Sequence, residues 1–382
     1  MFSKRMTSKH NQTASPLSRA SLVAYAVLIV YASLYPFSDW QFENLAAFSA
    51  QISQWPRYWS KFDAIVNVIG YIPFGVLLVF SIYPLIKLRW SFLLACVAVA
   101  SMSLLMESIQ YFLPNRVTSL LDLITNAAGG FIGALCGVLL LPNILESGRL
   151  QSLRTLWLQR ESSPELVVLG LWPLAQIFPQ AFLFGHGQIL PIISLWCEEY
   201  LDVSIDLSAY LRHGIELSPE TYLLSETIIT ACACTGAILI CLSLLNRNAP
   251  KFALACLLLI AGLAVKALSS ALMFQPENAF LWLAPGAKGG ILISTIMLYG
   301  FSFSPSHAQR RLAVLLLLIS LLMVNLIPSN PYFLNTLQTM VQGKMLNFYG
   351  AAQFLSVTWP FIAIWYLLKH QKATQQILQK SA

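Results

Sequence analysis

The chain is poor in charge. Only 10% of its 382 residues are Asp, Glu, Lys or Arg, against about 25% in a soluble globular domain. That is too little to cover a water-facing surface, so a soluble enzyme, a disordered chain and a nucleic-acid-binding module are excluded. Histidine is scarce as well. His10, His186, His213, His307 and His370 are scattered over loops and tails on both sides of the apolar runs, read as solvated, and form no metal-ligand cluster. Of the seven cysteines, Cys96, Cys136, Cys232, Cys234, Cys241 and Cys256 fall inside apolar runs and only Cys197 lies outside one, so no intrachain disulfide is expected. Cys232 and Cys234 are spaced like a ligand pair, but residues two apart on a helix point to different faces. They read as core filler. No phosphate-binding glycine loop and no G-x-S-x-G elbow occur, and Gly286-Ala287-Lys288-Gly289-Gly290 is half a P-loop without the spacing. A nucleotide-driven pump is excluded, and no cofactor is expected.

Apolar sequence is abundant instead. Hydrophobic residues make up 57% of the chain, and the mean hydropathy is +0.67. A bilayer core about 30 Å thick needs about 20 apolar residues per helix. Ten stretches meet that need: 17–37, 62–86, 90–112, 120–141, 165–185, 221–245, 252–274, 288–304, 311–328 and 348–368. The first follows a basic head and continues into Tyr35-Pro36-Phe37 without a cleavage site, so it reads as a retained signal anchor. With the N-terminus inside, 16 basic residues fall on inner segments and 6 on outer ones, Lys266 lying within a span. Cytoplasmic loops carry that excess. The expectation is an all-α polytopic bundle of about ten transmembrane helices with both termini cytoplasmic. It divides into a disordered head (1–16), a four-helix membrane domain (17–141), a linker (142–164), a six-helix membrane domain (165–368) and a tail (369–382), in which 375–380 could form a short surface helix.

The informative stretch is 63–137. Asp63, Asn67 and Gly70 open the second span, and Asp122, Asn126 and Gly129 open the fourth, both as D-x3-N-x2-G. Both spans run inward, so they read as copies of one helical hairpin 59 residues apart, with a fainter echo at Asn347 and Gly350. Asp in a first turn suits the helix dipole and can cap free N–H groups. Asn one turn later can bond a neighbouring helix. Gly129, Gly133 and Gly137 form a small-residue stripe that packs membrane helices, and Pro73-Phe74-Gly75 is expected to break the second span. The third span ends in Glu107 and Gln110, followed by Arg116. Asp63, Asn67, Glu107, Gln110, Arg116, Asp122 and Asn126 thus share one level near the outer boundary. Ionisable groups there are costly and point to a site. Caps account for the two aspartates; Glu107, near a helix C-terminus that disfavours an anion, is the residue kept for function, with Arg116 as its counter-ion.

These residues resemble the VanZ-like family over 17–141. The shared pattern is Asp63, Asn67, Pro73-Phe74-Gly75, Glu107, Gln110, Arg116, Asp122, Asn126, Gly129 and Gly133. The family often has a further acid where this chain has Ser119-Leu120-Leu121. The resemblance implies a multi-pass protein of the bacterial plasma membrane, tied to the cell envelope and to tolerance of the glycopeptide teicoplanin. It names no reaction.

In the remaining spans Glu226 and Lys266 are read as a pair, with a proton or substrate relay as the second reading. Outer aromatics (Trp55, Tyr58, Trp59, Trp196, Tyr200, Trp282, Tyr332, Phe333) form an interfacial belt or a sugar-facing platform. Segments 41–54 and 189–211 are amphipathic and expected along the outer surface, and 275–287 is an apolar outer loop that re-enters or lies against the membrane. Three functions stay open. One is a binding protein for envelope glycan or lipid at the outer leaflet. Another is a hydrolase or transferase on a lipid-linked substrate, with Glu107, Arg116 and Asp122 catalytic and Asp63, Asn67, Gln110 and Asn126 binding. The third is a secondary transporter, ranked last because transporters hold such groups at the midplane. Membrane lipids and a lipid-linked or glycan substrate are the expected partners; nucleic acid is not.

Overall fold

The structure is a computed structural model that describes residues 16–42, 55–56, 59–83, 85–86, 88–116, 118–141, 149–159, 163–215, 217–274, 276–329 and 346–381. The expected head, the linker residues 142–148, most of the segment 41–54, and Tyr58, Tyr332 and Phe333 lie outside the described residues.

Helices carry the fold: α1 (Pro16–Leu34), α2 (Lys61–Ile82), α3 (Leu88–Gln110), α4 (Leu120–Leu141), α5 (Arg149–Trp157), α6 (Ser163–Ala175), α7 (Leu190–Leu201), α8 (Leu207–Leu211), α9 (Pro219–Leu244), α10 (Lys251–Met273), α11 (Pro285–Ser302), α12 (Ser306–Leu326) and α13 (Leu346–Ser381). Among the described residues no strand forms; Leu158 and Leu245 make one isolated bridge. Among the described residues eight helices are long and apolar enough to cross a membrane: α1, α2, α3, α4, α9, α10, α12 and the Tyr349–Lys369 part of α13. The chain is an all-α polytopic membrane protein.

Two of the ten expected spans differ. The helix expected over 165–185 stops at Ala175. Pro173 already removes one ladder donor and Pro179 follows, so the chain continues as buried irregular backbone through His186. The stretch expected over 288–304 is α11, which starts earlier, at Pro285, and ends at Ser302; its glycine- and lysine-bearing first turns keep it out of the helices apolar enough to cross. The tail also departs from expectation, because α13 continues the last span to Ser381.

The chain forms two compact units, Met1–Leu153 and Arg154–Ala382. In the first, α1 to α4 pack around Tyr71, Phe74, Val79, Val99, Met106 and Ala134. Opposite faces carry exposed Ile65, Ile69, Val97, Leu105, Ile124 and Leu139, as a lipid-facing surface requires. Pro73 does not break α2, which stays helical from Lys61 to Ile82. Tyr25 Oη donates to Gly70 O at 2.7 Å, just ahead of the proline, and ties α1 to that point. In the second unit α9 is central and buried almost without interruption from Ile229 to Leu244. A helix that is apolar all round belongs inside a bundle. Cys232, Cys234 and Cys241 fill its surroundings.

Candidate functional site

Helices α2 and α4 meet backbone to backbone. A Cβ on Gly129 would strike Val68 O, one on Gly133 would strike Ile72 O, and Gly137 faces Val76 and Val79. Val68 and Ile72, like Gly129 and Gly133, are four apart, so the two helices run parallel in constant register. Small residues allow this closeness in a membrane, where no hydrophobic force drives helices together. The parallel packing sets the two D-x3-N-x2-G segments side by side.

Three helices then each offer a pair of polar residues four apart: Asn67 and Tyr71 from α2, Ser103 and Glu107 from α3, Asp122 and Asn126 from α4. Glu107 is 3% exposed and Ser103 fully buried. Asn67 Nδ2 donates to Asp122 Oδ1 at 2.8 Å, and Asn126 Nδ2 donates to Ser103 Oγ at 3.1 Å. The link between the acids is Ser119. Its backbone N–H donates to Glu107 Oε2 at 3.0 Å, and its Oγ accepts from the Asp122 N–H at 3.1 Å. Ser119 stands where the VanZ-like pattern often has an acid, and it works as the cap of α4 and the anchor of Glu107 at once.

Other expected members go elsewhere. Asp63 is exposed and pairs with the α2 cap, Ser60 Oγ donating to its Oδ2 at 2.6 Å. Gln110 Nε2 donates to Ser33 O at 2.8 Å. Arg116, expected as the counter-ion of Glu107, donates from Nε to Tyr35 O at 3.0 Å and from Nη2 to Ala32 O at 3.2 Å and to Tyr35 O. The last carbonyls of a helix lack intrahelical donors and attract cations, and the end of α1 claims this arginine. Burial lowers the pKa of its guanidinium from the ordinary value, yet arginine keeps its charge in proteins. Asn115 Nδ2 to Asp39 Oδ2 (3.3 Å) and Gln41 N–H to Phe112 O (2.9 Å) complete the clamp between the α1 exit and the α3–α4 turn.

Sequence reasoning missed Ser103, Ser119, Tyr71 and Thr118. Tyr71 was within reach of the motif logic, since it follows Asn67 by one turn. Its hydroxyl lies beside Ser103 and within electrostatic reach of Glu107, but makes no hydrogen bond of good geometry. Thr118 Oγ1 and Asn126 Oδ1 are likewise buried without a partner. Three such atoms on residues of this stretch of the unit are unusual, because buried polar atoms in native proteins are nearly always satisfied.

The second unit corrects two further expectations. Glu226 and Lys266 do not pair with each other. The Glu226 side chain packs on Gly286 at the start of α11, where an added Cβ would strike its Oε2, while Lys266 Nζ donates to Phe178 O at 3.1 Å. His186 is not solvated: it is 4% exposed, packs on the Trp359 ring at 5.5 Å and meets Gln176 Nε2 at 2.9 Å. The irregular segment 176–189 is tied down by side chains. Asn325 Oδ1 accepts from the Ile189 and Leu190 N–H groups, its Nδ2 donates to Gly187 O, and Gln180 Nε2 reaches Ser356 Oγ. Non-helical backbone at membrane depth is tolerated when it is enclosed in this way.

Among the described residues no group of three His, Cys, Asp or Glu side chains could hold a metal ion. No curated protein and no solved structure matches the chain. Residues 10–141 match the VanZ/LLP1 family, which makes the N-terminal third of this membrane protein a domain of the VanZ-like type.

Proposed function

We propose that the VanZ-like unit binds a polar group of an envelope lipid or glycan at the outer leaflet of a bacterial plasma membrane, with Glu107 at the centre of the site. The observation that carries the reading is the polar network that α2, α3 and α4 build around buried Glu107, in which Tyr71 Oη beside Ser103 and the Oδ1 of Asn126 stay without a hydrogen-bond partner. Each buried unsatisfied group costs about 1–3 kcal/mol, and a ligand that supplies partners offsets that cost. Asp122, Asn67 and Ser119 hold the carboxylates in place. The surplus of basic residues on the inner segments supports an outward-facing site, and the family resemblance supports the envelope setting.

Binding is favoured over hydrolysis or transfer because Arg116, the cation that would hold a phosphate, serves the end of α1. Transport is the second reading. The enclosed break at 176–189 beside Lys266 favours it, since discontinuous segments line transporter sites.

The test is recovery of bound lipid or glycan by native mass spectrometry of protein extracted from its membrane. Wild-type protein is expected to carry it, and Glu107→Gln, at equal membrane level, to lose at least 90% of it. Equal occupancy in the two proteins rejects the reading.

A further inference from the structure

The second unit buries a cation with no acid beside it. Lys266 lies within α10, a membrane-crossing helix, and is 2% exposed. Its side chain ends on Phe178 O and does not snorkel to water, as a long basic side chain normally does. A charged amine has three N–H donors. Phe178 O takes one, at 3.1 Å, and among the described residues Nζ has no second acceptor. The titratable neighbour within electrostatic reach is His186, a base. Of the described acids of this unit, Glu226 packs on Gly286, Glu165 lies beside Arg310, and the others are exposed. A buried charge left without a partner is costly. The ammonium offers only donors, so the group that relieves it brings negative charge and lone pairs. Another cation brings neither.

Phe178 belongs to the irregular segment 176–189, which Asn325 and Ser356 hold in place. Ser269, one turn beyond Lys266 on the same face of α10, reaches Gln176 O at 3.4 Å. Helix α10 thus meets the break at two points, and Lys266 is the charge it brings there. Broken segments at membrane depth line the binding sites of transporters. We infer that Lys266 is the charged residue of an anion site in the second unit, which takes one small monovalent anion, a halide or a carboxylate. The anion accepts the Lys266 N–H groups that Phe178 O leaves over, and charge-assisted bonds of this type are about twice as strong as neutral ones. One negative charge balances the single ammonium, whereas a dianion such as sulfate leaves a net charge buried. This site shares no residue with the Glu107 cluster, and either can fail without the other.

The experiment is chloride-35 NMR of the full-length protein in detergent micelles, with gluconate as the balancing anion. Wild-type protein is expected to broaden the chloride line, and added chloride to saturate the effect. Acetate separates the two sources: displacement of chloride by less acetate than chloride itself requires identifies a carboxylate site, and weaker displacement identifies a halide site. Sulfate is expected to compete at least tenfold more weakly than either. Lys266→Met removes both the charge and the donor to Phe178 O. Lys266→Gln removes the charge but keeps an N–H for that carbonyl, which guards against simple misfolding. Both variants are expected to lose at least 90% of the saturable broadening, with thermal unfolding in gluconate showing that they fold. Absence of saturable broadening by the wild-type protein overturns the site. So does equal broadening by a folded Lys266→Gln variant, which places chloride elsewhere. Competition by sulfate as strong as that by chloride overturns the monovalent assignment.

Discussion

Lys266 and Glu226 are each buried in the second unit, and each has its own main-chain neighbours. Lys266 serves a carbonyl of the irregular segment, Phe178 O. Glu226 packs against Gly286 in the first turn of α11, where the helix dipole favours an anion. Replacement of either one disturbs its own neighbours, and the loss is local. Sites with no shared partners add within about 0.3–0.5 kcal/mol. A double-mutant cycle of Glu226→Gln and Lys266→Met, read by thermal unfolding in detergent, is therefore expected to give a coupling energy inside that range. A joined pair would instead show rescue, with Lys266→Met recovering much of the loss caused by Glu226→Gln. At this scale the sequence conveyed cost but not partner. Any intramembrane acid and base look like a pair when only depth is known, because carbonyl and N–H groups at helix ends carry no letter of their own. The same blindness hid the α1 carbonyls that Arg116 meets, and left Ser119 as a mere departure from the family pattern.

Among the elements, the α2–α4 contact is the firmest and the most exposed to test. Gly133 and Gly129 admit no Cβ because carbonyl oxygens of α2 occupy the space. Overpacking of this kind costs about 1–3 kcal/mol, and here backbone rather than a flexible side chain must move. Gly133→Ala is expected to lower unfolding stability by that amount. Gly170, inside α6, has nothing within 4 Å of its absent Cβ; Gly170→Ala is expected to be neutral or to gain about 0.5–1 kcal/mol from helix propensity alone. The same assay on the two variants separates close packing from generic glycine effects. This contact was readable in advance, since Asp, Asn and Gly recur at matching positions of two spans and small residues every fourth position mark a helix seam. Pro73 was misread for the opposite reason: a missing N–H is visible in sequence, but the packing of α2 against its neighbours, Tyr25 on Gly70 O among its contacts, is not. The end of α6 falls between, since Pro173 and Pro179 flag a break while the Asn325, Gln180 and Ser356 contacts that enclose it come from distant helices.

The whole molecule has a direction that its charges argue and labelling can decide. On the ten-stretch reading of the sequence, sixteen basic residues on one set of segments against six on the other predict both termini in the cytoplasm under the positive-inside rule. In that topology α7 lies outside. Its surface shows Leu195, Trp196 and Tyr200 together with Glu198 and Glu199, the mixture of an interfacial helix. Cys197 sits on this helix, half-buried, whereas Cys96, Cys136, Cys232, Cys234, Cys241 and Cys256 lie on membrane-crossing helices. A membrane-impermeant maleimide added to intact cells is therefore expected to label one cysteine, with the signal lost in Cys197→Ser. Polar reagent does not reach thiols facing protein or lipid tails, so the other six stay silent in either topology. Labelling of Cys197 only after the membrane is permeabilised puts α7 on the cytoplasmic side and rejects the ten-crossing topology, in which the segment 165–185 carries the chain across ahead of it.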